Sequence, residues 1–146
     1  LNLDLLDASI KTHEGKRNTP YVDSKGNLTI GYGHNLKEGL DDPSIDFIYV
    51  QDRNFAITTA QGESWWNAVS GFDARARAMV EMVFNMGVSG VRTFRNATSL
   101  LCAGDFNGAA DAFLDSEWAR EVGDRATVLA GMIRTDADPS STTSTT

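Results

Sequence analysis

The sequence predicts an α+β fold that is mainly helical. Three observations predict it. Apolar residues recur at helical spacing near the start of the chain. Strand-type residues then flank one turn cluster. From Ser44 onward the signal is helical again. A chain of 146 residues normally forms one domain around a connected core.

Each element has a local cause. Leu3, Leu6, Ile10 and His13 fall at helical spacing, so a first helix should end at Glu14, with Gly15 as its stop signal. Tyr21-Val22 and Leu28-Thr29-Ile30 flank the turn cluster Asp23-Ser24-Lys25-Gly26-Asn27, which predicts a β-hairpin or meander. Asp23 then lies at a strand end and Thr29 on the neighbouring strand. Ser44, after Pro43, is the expected N-cap of a long helix with Ile45, Ile48, Tyr49, Asp52, Phe55 and Ala56 near one face. Trp65 to Val69 suggests a short packed segment. Asp73 is the expected cap of a strongly apolar helix through Ala76, Met79, Val80, Val83 and Phe84. That helix is apolar on more than one side, which places it centrally. Further helices are expected near 93–103, 105–116 and 124–134, and no internal repeat is visible.

Composition narrows the function classes. Hydrophobic residues make up 41%, as in a soluble globular protein, and no apolar run reaches the roughly 18–20 residues of a membrane span. Residues 1–7 lack the basic start and long apolar stretch of a signal peptide. Cys102 is the single cysteine, so no internal disulfide forms, and its apolar helical setting predicts a packed thiol. No His/Cys cluster has metal-ligand spacing, so neither a metal nor a cofactor is expected. A net charge of −7 argues against nucleic acid as a partner. Residues 136–146 have no periodicity and no large apolar side chain, which separates a 1–135 domain from a Ser/Thr-rich tail or linker. The absence of Met at position 1 suggests processing, or excision from a longer chain.

The chemistry-bearing feature is Glu14, with Asp23 nine positions on and Thr29 six further. Each has a bland reading: a solvated acid at a helix end, a turn-forming Asp, a β-favouring Thr. Two acids alone say little when 20 of 146 residues are Asp or Glu. Together, two carboxyls and a hydroxyl are what glycoside hydrolysis requires. One carboxyl protonates the leaving oxygen, the other stabilises the cation-like transition state or activates water, and the hydroxyl helps hold that water.

The spacing, joined to the run Thr29-Ile30-Gly31-Tyr32-Gly33-His34, resembles the phage-type lysozymes, a glycoside hydrolase family best known from the T-even phages. Met82-Val83-Phe84-Asn85-Met86-Gly87-Val88-Ser89-Gly90-Val91 is similar to that family's central buried helix and the turn after it. Ser116-Glu117-Trp118 and Asp124-Arg125-Ala126 resemble its C-terminal part. The resemblance implies a two-lobed lysozyme-like fold, with a small β-hairpin lobe, a larger helical lobe and the active site in the cleft between.

The resemblance also implies an activity. A muramidase would cut the β-1,4 bond between N-acetylmuramic acid and N-acetylglucosamine in bacterial peptidoglycan, without a cofactor. Glu14 would be the general acid, a role that calls for burial to keep its proton near neutral pH, with Asp23 and Thr29 positioning or activating water. Gly33, Phe84 and Asn85 would contact substrate. His34 would pair with Asp52, and Arg125 would reach the catalytic Glu14, both as structural support. A His–Asp pair stabilises the protonated imidazole and adds more stability in mildly acidic than in alkaline solution. Trp118, Phe84 and Phe94 otherwise read as core aromatics. Gly31 and Gly33 would permit close backbone approach.

The chain departs from the family pattern in three ways. It is acidic, with a pI near 4.7, where free endolysins of this type are mostly basic. The segment from His34 to Asp52 is short, and the late helices hold Ala97 and Ala112 where sugar contacts are expected. Alternatives follow. One is a virion-associated lysozyme domain of a larger phage tail protein, acting at entry, in place of a free endolysin working from the host cytoplasm on the periplasm and wall. Another is a lytic transglycosylase, which needs Glu14 but not Asp23 or Thr29. The last is a non-catalytic wall-binding module, which would need none of the three.

Overall fold

Residues 1–139 are described by the structure, a computed structural model, and the chain divides into two compact units, Leu1–Ile48 and Tyr49–Thr146. Residues 140–146 of the expected Ser/Thr-rich tail lie outside the described residues.

The first unit opens with α1 (Leu3–Glu14). Asn2 caps it by accepting from the Leu5 N–H at 3.1 Å, and Gly15 closes it by donating to the Lys11 carbonyl at 3.0 Å. Three antiparallel strands follow in the order β1 (Arg17–Val22), β2 (Leu28–Gly31) and β3 (His34–Asn35). Tyr21 pairs with Thr29 and Val22 with Leu28 on one side of β2, and Thr29 pairs with Asn35 on the other. The register of β1 against β2 shifts between Arg17, which pairs with Gly31, and Tyr21. Thr29 therefore occupies the central strand and is 2% exposed. A single 3-10 turn (Leu36–Glu38) leads to α2 (Asp42–Gln61), which runs on into the second unit.

The second unit is helical: α3 (Trp66–Val69), α4 (Asp73–Arg92), α5 (Arg95–Cys102), α6 (Phe106–Leu114), α7 (Glu117–Val122) and α8 (Asp124–Thr135). Its core gathers Trp65, Val69, Met79, Met82, Leu101, Phe113, Leu129 and Ile133, all almost fully buried. Ala78, Ala109, Ala110 and Ala130 are buried among them, and such small side chains let α4, α6 and α8 approach closely. Each large apolar side chain removed from water contributes about 1.5–3 kcal/mol. Surface ion pairs such as Arg77–Asp73 are worth about 0–1 kcal/mol each, so apolar packing dominates this unit. Gly87 interrupts α4 with φ 75° and ψ 161°, a backbone that favours glycine, and splits it into a long and a short helix.

The end of α8 and the start of α4 satisfy each other. Asp136 accepts from the Ala74 and Arg75 N–H groups at 3.1 and 3.2 Å. Arg75 in return donates to the Ile133 and Arg134 carbonyls at 2.7 and 3.2 Å, with its guanidinium 3.7 Å from the Phe106 ring centroid. Orphan donors of one helix and orphan acceptors of another are thus paired by two side chains.

Four expectations are corrected. Asp41, not Ser44, caps α2: its carboxylate accepts from the Ser44 N–H at 3.0 Å, and Pro43 sits in the first turn, where its missing N–H costs nothing. Asp73 does not cap α4; that role falls to Asp136. Cys102 is exposed at the end of α5, because Leu101 takes the buried position beside it. The separate helix α7 was not anticipated, although Ser116, accepting from the Ala119 N–H at 3.2 Å, and Gly123 punctuate it. The α+β class, mainly helical with one small antiparallel sheet, is as expected.

Asp136 also stands at φ 52°, in the left-handed region. Asp136→Ala should therefore lower unfolding free energy by about 1–2 kcal/mol, from a lost cap and a strained backbone. Asp136→Asn, which tolerates that backbone and still accepts, should stay within about 0.5 kcal/mol of the parent. Urea denaturation checks both, and equal losses would remove the capping account.

Candidate active site

Glu14 is the last residue of α1, and its carboxyl is placed by contacts to the β2–β3 connection. A β-carbon at position 33 would stand 2.7 Å from Glu14 Oε2 and 3.1 Å from its Cδ, so any larger residue there would push the carboxyl aside. Gly33 also has φ +77°, which independently favours glycine. One residue earlier, the Tyr32 ring lies 5.7 Å from Lys11 Nζ, a cation–π contact from the last turn of α1. Among the described residues no hydrogen bond or ion pair engages the Glu14 carboxyl, and Glu14 is exposed, so the burial that a general acid calls for is not found.

Asp23 is held very differently. Its Oδ1 accepts from the Lys25 N–H at 2.9 Å and the Asn27 N–H at 2.8 Å, while Oδ2 has only a long contact from the Asn27 amide at 3.5 Å. Its own N–H donates to the Asn27 carbonyl at 2.9 Å, closing the turn. The Asn27 main-chain N–H is the largest influence holding the Asp23 carboxyl below its ordinary range. Desolvation opposes it, and the Lys25 N–H, the Asn27 amide and the Lys25 charge reinforce it. Asp23 is thus built to stay an anion.

Thr29 directs its hydroxyl proton to the Asn27 carbonyl at 2.9 Å. With that proton committed, Oγ1 has acceptor capacity to offer a third party. The sequence-predicted trio thus falls within the first unit. Glu14 is at a helix end, and Asp23 and Thr29 are joined through Asn27.

The other predicted residues are placed as follows. His34 donates from Nε2 to the Gly39 carbonyl at 2.8 Å, which fixes the ring and leaves Nδ1. Asp52 lies on α2 in the second unit, beside Phe55, Val83 and Gly87 around a cavity of about 250 Å³. Arg125 donates to Glu81 of α4 at 3.1 Å. Phe84, 44% exposed, tilts against Tyr49 with ring centroids 6.1 Å apart and walls a second cavity of about 580 Å³. The Asn85 carbonyl oxygen accepts from the Trp118 indole at 3.0 Å. Phe94 packs edge-on to Phe113 and Trp118, in keeping with a core role. Ala97 is buried and Ala112 packs against the core, so both serve helix packing. Gly31 has a positive φ but no close neighbour, so only Gly33 of the two makes a close approach. Glu81 and Asn27 escaped sequence reasoning. Glu81 meets Arg125 only through helix packing, and Asn27 acts largely through its main chain.

A model of the phage lysozyme family matches residues 11–137, which include the turn, the strands and all but the first helical turns. The chain belongs to the phage lysozyme family: it is a glycoside hydrolase of the lysozyme type, with peptidoglycan as its substrate. It is similar to the probable T4-type lysozyme 2 of Dictyostelium discoideum, with 24% identity over 155 aligned positions, covering 86% of this chain and 91% of that protein.

Two measurements check the site geometry. Gly33→Ala should destabilise the fold by about 1–2 kcal/mol through backbone strain and, by displacing the Glu14 carboxyl, lower activity at least about tenfold. Parent-like activity would mean that the carboxyl need not rest there. Asp23 should titrate by carbon-13 NMR below the ordinary value of about 3.9. Because its folded-state pKa is depressed, its stabilising contribution is complete well above that value and is lost as pH falls through the folded pKa. A midpoint above about 3.9 would contradict the hydrogen-bonded turn.

Proposed function

We propose that the enzyme hydrolyses the β-1,4 bond between N-acetylmuramic acid and N-acetylglucosamine, with Glu14 as general acid and Asp23 and Thr29 managing the water. The observation that carries this reading is the unequal bonding of the two carboxyls. Asp23 has donors aimed at its anion, whereas the Glu14 carboxyl has no described hydrogen-bond partner. An acid must be free to deliver its proton, and a base must be held ionised.

Protonation of the glycosidic oxygen by Glu14 would let the C1–O bond break as positive charge develops on the sugar. Asp23 Oδ2, the less engaged oxygen, would accept one proton of the water, and Thr29 Oγ1 the other. The water oxygen would keep a lone pair for C1. Bond formation then passes the water proton to Asp23, so charge balances at each step. This is inversion, which needs carboxyl groups roughly 6.5–9.5 Å apart to leave room for water. Gly33, Phe84 and Asn85 are the residues we propose to meet sugar.

Glu14→Gln keeps the shape and removes the transferable proton. It should reduce hydrolysis of purified peptidoglycan by at least about a hundredfold, the lower end of what general acid catalysis supplies, with an unchanged melting curve. Activity within tenfold of the parent would overturn the assignment.

A further inference from the structure

Asn27 makes four hydrogen bonds to the two residues that the mechanism assigns to water. Its N–H donates to Asp23 Oδ1 at 2.8 Å, and its amide approaches Asp23 Oδ2 at 3.5 Å. Its carbonyl accepts from the Asp23 N–H and from the Thr29 hydroxyl, both at 2.9 Å. One carbonyl therefore sets the position of Asp23 and the rotamer of Thr29 together. We infer that Asn27 is a positioning residue for hydrolysis: its main chain locks Asp23 and Thr29 into one frame, and its side-chain amide restrains the Asp23 oxygen left to bind water. The inference rests on the proposed roles of Asp23 and Thr29.

The chemistry gives the two halves of Asn27 separate jobs. The main-chain bonds survive most substitutions, because any residue but proline supplies the same N–H and carbonyl. The side-chain amide is the removable part. At 3.5 Å it is a weak bond at rest, and it faces the oxygen that gains a proton during bond formation. A donor there orients that oxygen and opposes its premature protonation. Loss of the donor should let Oδ2 rotate away from the water and become easier to protonate. A residue that only closed a turn would affect stability and leave the pH dependence of turnover alone.

The test uses Asn27→Ala, Asn27→Asp and Asp23→Asn in the whole chain, with purified peptidoglycan as substrate. Asn27→Ala should lower kcat roughly threefold to tenfold, the range of one hydrogen bond, with KM within about twofold. The acid limb of its kcat–pH profile should move to higher pH, because Asp23 then protonates more readily. Asn27→Asp should move that limb further, since a like charge beside Asp23 disfavours its ionisation. A lowered melting temperature with parent-like kcat and acid limb would overturn the inference and leave Asn27 a turn residue. Asp23→Asn separates the two levels. Should it retain activity within tenfold of the parent, the reading of Asp23 itself fails. Should it be inactive while Asn27→Ala is parent-like, only the role of Asn27 fails.

Discussion

The hydrogen-bonded turn from Asp23 to Asn27 is the constraint on which the rest of the site depends. Two main-chain N–H groups converge on one carboxylate oxygen, and the returning carbonyl of Asn27 binds both the Asp23 N–H and the Thr29 hydroxyl. Donors aimed at an anion lower its pKa without burying it. The Asp23 carboxylate can therefore stay charged at a strand end near solvent, its charge secured by geometry already needed to reverse the chain. The other carboxyl, on Glu14, is placed by shape instead. The carboxyl rests against Gly33, where a β-carbon would displace it. Two acids of similar intrinsic strength are thus given different surroundings by two kinds of local structure.

The second unit rests on a different balance. Its apolar core carries the stability, and ion pairs such as Arg77–Asp73 and Arg125–Glu81 lie at the surface, where water screens them. Polar groups matter there at helix ends. Arg75 and Asp136 join the end of α8 to the start of α4, satisfying donors and acceptors that neither helix can satisfy alone. Asp138 extends that arrangement past Thr135 with an ion pair to Arg77 at 2.8 Å.

Much of the fold was legible because it is written in local signals. The helix ending at Glu14, the turn from Asp23 to Asn27 and the position of Thr29 on the next strand all follow from glycine placement and residue alternation over a few positions. What escaped depends on contacts distant in sequence, or on a choice between neighbours equally suited. Asp41 and Ser44 both make good caps, and only the backbone decides which one accepts. Asp136 caps the start of α4 through Ala74, sixty-two residues before it, and no window along the chain can reveal that. Cys102 and Leu101 are adjacent in an apolar stretch, and a helix can bury only one of them against the same neighbour. The Glu14, Asp23 and Thr29 trio stood out through spacing, whereas Asn27 looked like any turn residue because its bonds run largely through its main chain.

If Asp23 acts through water, as proposed, and not as a nucleophile, the configuration of the first product must show it. Proton NMR of early hydrolysis on a soluble peptidoglycan fragment would resolve the new reducing end before mutarotation. The account predicts the α-anomer first, because a water held by Asp23 and Thr29 attacks the face opposite the departing β-linked sugar. The β-anomer first would mean a glycosyl-enzyme on Asp23, and a 1,6-anhydro product would mean that water is not the acceptor. Either result would contradict a water-positioning role for Asp23.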